Sequence, residues 1–145
     1  MNDASQSSRM SLEAFNRLLE ESAPFQRAYG FVTEEIAAGR SRVRLPAHDD
    51  HIRPGGTLSG PAQMALADFA MYAALLGAIG EVPLAVTTSF NINFLHRPSP
   101  GDLLAHCRLI KLGKRLAVGD IMIYSEGRED PVSHATATYS VPPRA

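Results

Sequence analysis

Asp68 is the only charged residue between Leu58 and Ile79, a run built mostly of Ala, Leu, Met and Gly. Ionising a carboxyl group in a low dielectric costs several kcal/mol unless something compensates, and Asp is seldom fully buried without a partner. A carboxylate held there can take a proton from water, or it can attack an electrophile itself. Other readings of the same residue stand beside these. It could be a structural carboxylate satisfied by backbone donors or an arginine, it could lie on an exposed rim, or the apolar run could cross a membrane. A central Asp opposes membrane insertion by roughly 3 kcal/mol. Arg53 is the second candidate, because a guanidinium can grip a carboxylate or a phosphate, or could pair with Asp68 itself. His51 precedes it and could assist, although a lone loop histidine also fits plain polar surface. His48, His96, His106 and His134 have no metal-ligand spacing, so no metal site is expected.

The elements that must position these groups follow from periodicity. Ser11 to Glu21 places Leu12, Phe15, Leu18 and Leu19 at helical spacing, and Pro24 ends that helix. Tyr29 to Ala37 reads as a strand, Ala38-Gly39 as a turn, and Arg40 to Leu45 as a strand with Arg40, Arg42 and Arg44 on a solvated face. His48 to Thr57 is a polar loop rich in glycine. A long helix follows from about Ser59 to Ile79, with Ser59 suited to its N-cap and Pro61 to its first turn. It is apolar on every side, which marks a buried helix. Four strands then run Leu84 to Leu95, Leu103 to Leu112, Arg115 to Tyr124 and Val132 to Val141. In the first of them Thr88, Phe90, Ile92 and Phe94 alternate against Ser89, Asn91 and Asn93. Strands joined by short turns are antiparallel. A curved antiparallel sheet around one apolar helix is the expected solution, in the α+β class. Residues 1–9 are polar and expected to be disordered, leaving residues 10–145 as one domain.

Bulk composition narrows the function classes. A chain of 145 residues with 45% hydrophobic and 20% charged residues suits one soluble domain with a sizeable core. A net charge of −1 gives no footprint for nucleic acid or membrane. The single cysteine, Cys107, falls in an apolar strand row and reads as a buried thiol. With no basic-then-apolar leader visible, a cytoplasmic protein is expected.

The layout resembles the hotdog fold, and the residues around the helix start sharpen the likeness. Arg53-Pro54-Gly55-Gly56-Thr57-Leu58-Ser59-Gly60-Pro61, followed by Leu66-Ala67-Asp68, resembles the signature of the phenylacetate-degradation (PaaI-type) acyl-CoA thioesterases. In that family Asn-Pro-x-Gly-x-x-His-Gly-Gly precedes Leu-Ala-Asp. Asn91-x-Asn93-Phe94-Leu95 before a proline, and Gly113-Lys114-Arg115, match later family positions. Arg53 stands for the family Asn, Ser59 for the His and Pro61 for the second Gly, while Gly60 and Asp68 keep the family's identity and spacing.

The resemblance implies hydrolysis of an acyl-CoA, with Asp68 as base or nucleophile and the Gly60 N–H as oxyanion donor, Ser59 or Thr57 assisting. Tyr72, one turn beyond Asp68, stands where some relatives place a water-holding hydroxyl. Coenzyme A enters only as part of the substrate, and no other cofactor is implied. Its phosphates need cations, for which Arg97, Lys111, Lys114 and Arg115 are candidates beside Arg53. Gly60 and Asp68 are eight residues apart, roughly 12 Å along a helix, whereas both must lie within about 3 Å of the reacting group. A two-fold dimer can bring Gly60 of one subunit to Asp68 of the other, and the resemblance implies dimers paired into tetramers. An acyl-CoA or acyl-carrier binding protein without hydrolysis is the alternative. Hydratase chemistry ranks third, since it would call for an Asp–His pair that His51 could complete only by folding back.

Overall fold

The computed structural model describes residues 8–22 and 28–143. Residues 1–7 and Pro24 lie outside the described residues. Ser8 and Arg9 are placed: the Ser8 hydroxyl and the Arg9 N–H both donate to the Gly77 carbonyl, at 3.1 and 2.8 Å.

The first helix, α1 (Leu12–Ser22), buries Phe15 and Leu18, and Ser11 caps it by accepting from the Ala14 N–H at 3.0 Å. Two strands follow, β1 (Val32–Ala37) and β2 (Arg40–Leu45). The expected polar loop is more ordered than its composition suggests. It holds a short 3-10 turn (Asp49–His51) and a two-residue ribbon, β3 (Ile52–Arg53) against β4 (Thr57–Leu58). The long helix α2 (Gly60–Ile79) comes next, then β5 (Val86–Phe94), β6 (Leu103–Leu112), β7 (Leu116–Ser125) and β8 (Pro131–Ser140).

Six strands form one antiparallel sheet in the order β1-β2-β6-β7-β8-β5, so β1 and β5 are its edges. The sheet's inner residues alternate along each strand, as in Val43, Leu45, Ala105, Cys107, Ile121, Ile123, Ala135 and Ala137, and all are buried against α2. By length and composition α2 could span a membrane, yet 72% of its apolar window is buried inside the fold. Close packing shows at Gly77. A Cβ there would sit 2.6 Å from the Ala37 carbonyl oxygen and 2.6 Å from Ile36, so only glycine lets β1 cross the helix this closely. The fold is α+β, a curved antiparallel sheet with one long buried helix, as the sequence predicts.

Two strands depart from regular alternation. In β5 the register against β8 shifts between Thr87 and Ser89, so Thr87 pairs with Tyr139 and Phe90 with Ala137. A bulge inserts one residue and reverses the facing of all that precede it. Thr88, expected on the apolar side, is exposed, and Thr87 points inward in its place. In β1 a shift between Thr33 and Glu35 leaves Glu34 as the extra residue. Its carboxylate accepts from Arg42 Nε at 3.1 Å and from Arg44 Nε at 2.7 Å. Arg44 also donates to Asp102 and Glu126, at 2.9 and 2.7 Å. The arginine row is therefore an ion-pair network with Arg44 only 23% exposed, and more than a solvated face.

Candidate active site

The site begins with the cap of α2. Ser59 has extended backbone, and its hydroxyl accepts from the Ala62 N–H at 3.2 Å while its carbonyl accepts from the Gln63 N–H at 3.0 Å. Pro61 has no N–H to offer. Of the first four helical positions, Gly60 alone keeps an N–H with no acceptor among the described residues. That donor lies at the positive end of the helix dipole. The Phe94 ring lies beside this glycine: a Cβ on Gly60 would meet it at 3.4 Å. The groove at this helix start encloses about 650 Å³ and is lined by Arg53, Leu58, Gly60, Gln63, Phe94 and Arg97, with His96 and Pro98 at its edge.

Asp68 lies two turns further along α2 and opens on a different cavity. That cavity encloses about 320 Å³ and is lined by Phe31, Met64, Ala65, Phe69, Thr87 and Phe90 around the carboxylate. Phe31 stacks on Phe69 with ring centres 4.6 Å apart. The carboxylate is half-buried and asymmetric. Thr87 Oγ1 donates to Asp68 Oδ1 at 2.6 Å, and Tyr139 Oη lies 3.0 Å from the same oxygen and 3.1 Å from the Asp68 carbonyl. Asp68 Oδ2 has no hydrogen bond among the described residues. Burial, and then the charge of Asp68, push the Tyr139 phenol far above its ordinary range, so it stays a neutral donor. One carboxylate oxygen is anchored and the other has no partner among the described residues.

The structure sorts the predicted residues. Gly60, Arg53 and Arg97 share the helix-start groove. Ser59 serves as the cap. Thr57 is buried, and its hydroxyl has no partner among the described residues. Arg53 lines the Gly60 groove and not the Asp68 cavity, and Asp68 makes no ion pair among the described residues. Of the readings left open for Arg53, pairing with Asp68 in one chain is therefore not realised. His51 stacks on Tyr29 at 4.9 Å, while the Asp68 carboxylate is held by Thr87 and Tyr139, so no Asp–His pair forms. Tyr72 is not at the cavity: it is buried, packs on Phe15 and Tyr139, and donates its hydroxyl to the Pro83 carbonyl at 3.2 Å. Asn91 is exposed on the edge strand β5, and Lys111, Lys114 and Arg115 belong to the β6–β7 hairpin; all four line neither cavity.

Three residues that line or anchor the site are not among those expected from the sequence. Thr87 is hidden by the β5 bulge. Tyr139 is brought to Asp68 by its pairing with Thr87, a long-range contact no local pattern reports. Gln63 has a signal in the sequence, since it is the only carboxamide in the apolar run that holds Asp68.

Comparison with known proteins identifies the family and agrees with the fold. The family model described as the thioesterase superfamily matches residues 55–132. A protein of Saccharolobus solfataricus that carries the name of an esterase is 31% identical over 133 residues, covering 91% of this chain and 86% of that one. A crystal structure from Silicibacter, named as a thioesterase, is 43% identical and superposes with a TM-score of 0.86 over 95% of this chain and 96% of its own. A mutant of the phenylacetic acid degradation protein PaaI from Thermus thermophilus is 28% identical, with a TM-score of 0.71 over 82% of this chain and 99% of its own. A sequence match over more than half the chain, a shared fold and a carboxylate facing a cavity converge on one family and one reaction class: the chain belongs to the thioesterase superfamily of hotdog-fold proteins and is a thioester hydrolase.

Proposed function

We propose that the protein cleaves a short, branched or aromatic acyl-CoA into free acid and coenzyme A, as a cytoplasmic homodimer paired further into a homotetramer. The observation that carries this reading is the separation of two complementary groups. Gly60, whose N–H is unpaired among the described residues, lines one groove, and Asp68, whose Oδ2 is likewise unpaired, lines another. One carbonyl can meet both only where two chains join, with Gly60 from one and Asp68 from the other.

The surface supports such a junction. Edge strand β5 and its flanks expose Leu84, Val86, Phe94 and Leu95, each more than half accessible. An apolar edge strand left open is a template for a second copy. Arg53 and Arg97 flank the helix-start groove, where coenzyme A phosphates need cations. The Asp68 cavity is aromatic and apolar, suited to the acyl group.

The chemistry follows from the two free groups. Asp68 Oδ2 takes a proton from water, which attacks the thioester carbon, or the same oxygen attacks the carbon directly. The oxyanion that forms accepts from the Gly60 N–H. The C–S bond then breaks and the thiolate leaves. On the general-base route it takes back the proton that Asp68 took from water. On the direct route a water gives it a proton, and the resulting hydroxide opens the acyl-Asp68 anhydride, releasing the free acid and restoring the carboxylate. Purified protein mixed with a panel of acyl-CoAs and a thiol-trapping dye should release thiol from short and aromatic members. Tight binding of those acyl-CoAs without thiol release would instead make this a binding protein.

A further inference from the structure

We propose that Gln63 is a substrate-positioning residue that pairs with the amide nearest the sulfur in the pantetheine arm of the thioester, an inference that rests on the acyl-thioester function. Gln63 is 97% buried and lines the same groove as Gly60, and its buried Oε1 has no hydrogen-bond partner among the described residues. Burying an amide oxygen unpaired is unfavourable, and native chains seldom do so without a reason. The neighbouring helix positions are Ala62, Met64 and Ala65, so an apolar residue would satisfy the helix and the groove equally well.

The position of the carboxamide selects its partner. Gln63 is three residues from Gly60, which places it on the same helix face and about 4.5 Å further along the axis. Helical side chains lean back toward the N-terminus, which carries the carboxamide toward the Gly60 N–H. In a pantetheine thioester, two methylenes and the sulfur separate the reacting carbonyl from the first amide nitrogen. That spans roughly the same distance at ordinary bond lengths. A secondary amide offers one N–H and one C=O, and a primary carboxamide offers the complementary acceptor and donor. The groove also carries Arg53 and Arg97, whereas the acyl cavity holds no cation among its lining residues, so the groove suits the carrier arm. Coenzyme A and a phosphopantetheinylated carrier protein share this arm.

Two benzoyl thioesters test the pairing. One is the N-acetylcysteamine thioester, which keeps the amide. The other is the S-pentyl thioester, in which two methylenes replace it. Gln63→Leu should lower kcat/KM for the first by about five- to tenfold, the worth of one or two hydrogen bonds. It should leave the second unchanged or improved. Without substrate the variant should melt at the same or a higher temperature, because an unpaired buried amide has been removed. An equal loss on both thioesters, or no loss on the first, would overturn the proposal. So would a lower melting temperature or altered oligomeric state, since the amide would then serve the fold or the partner subunit. The matching ketones, with a methylene in place of the sulfur, cannot be hydrolysed, keep the number of bonds between carbonyl and amide, and allow the same comparison by dissociation constant. If wild type binds the amide ketone more tightly, and loses that preference with Gln63→Leu, yet hydrolyses neither thioester, the thioesterase reading fails and the Gln63 pairing stands. A wild type that binds neither ketone would end both.

Discussion

At the residue scale, the site is a carboxylate with one oxygen tied down. Thr87 and Tyr139 both donate to Asp68 Oδ1, which fixes the rotation of the carboxylate and leaves Oδ2 without a partner among the described residues. Asp68→Asn should therefore abolish most hydrolysis, by about 10²–10⁴ in kcat, with the fold and substrate binding kept. The amide preserves shape but can neither deprotonate water nor attack a thioester. A large fall in melting temperature with turnover retained would mean that Asp68 serves the fold. Tyr139→Phe removes one of the two anchoring donors, and kcat should fall by about tenfold, the order of one lost hydrogen bond to a charged group. KM should change little, because the ring stays buried and touches no substrate. An unchanged kcat would show that Thr87 anchors the carboxylate alone. Asp68 is legible in the sequence because a charge in an apolar run is a local signal. Its anchors are not. Alternation counted back from Phe90 puts Thr88 inward, and the β5 bulge overturns that count at the one residue that matters.

At the scale of elements, most boundaries follow from periodicity and breakers. β2 and β6 fall where alternation predicts, and α2 starts one residue after the serine that caps it. The short β3–β4 ribbon is not legible, because two-residue strands are too short to carry a period. The network on β1 and β2 is half legible: the arginine row is visible, but Glu34 reaches both Arg42 and Arg44 only because a bulge makes it the extra residue. This network has a testable pH dependence. The hydrogen bond from Arg44, with that from Arg42, holds the Glu34 carboxyl below its ordinary 4.5. A group with a depressed native pKa stabilises the fold fully above its unfolded value, and that contribution is lost as pH falls through the native value. Glu34→Gln should lower stability at pH 7 by about 1 kcal/mol, in keeping with partly exposed pairs. The difference from wild type should close as pH drops below 4.5, and thermal melts of both proteins across pH 3 to 7 would show it. A gap that persists at pH 3 would mean the loss is one of packing and not of charge.

At the scale of the whole molecule, the separation of Gly60 from Asp68 makes a prediction that no single-chain site shares. Gly60→Pro removes the one free N–H of the helix start. Proline is favoured at the first helical position, and Ser59 before it is already extended. Pro61 follows within the helix, so a melting temperature and oligomeric state equal to wild type are required of the variant before its turnover is read. Phe94, whose ring would lie 3.4 Å from a Cβ at this position, must shift slightly to admit the proline ring. Gly60→Pro and Asp68→Asn should each form folded oligomers with little turnover. In a mixed dimer the Asp68→Asn chain contributes an intact Gly60, and the Gly60→Pro chain contributes an intact Asp68. If the two groups act across the two-fold axis, these meet at one of the two sites, while the other site carries both lesions. Co-refolding equal amounts makes about half the dimers mixed, each with one working site, so about one quarter of wild-type turnover should return. The separately folded variants, mixed without subunit exchange, should show no such gain. A site built within one chain would give no rescue under either condition. Absence of rescue in co-refolded material, with mixed dimers verified by a tag on one chain, would sink the shared-site mechanism and leave each chain to reach across its own helix.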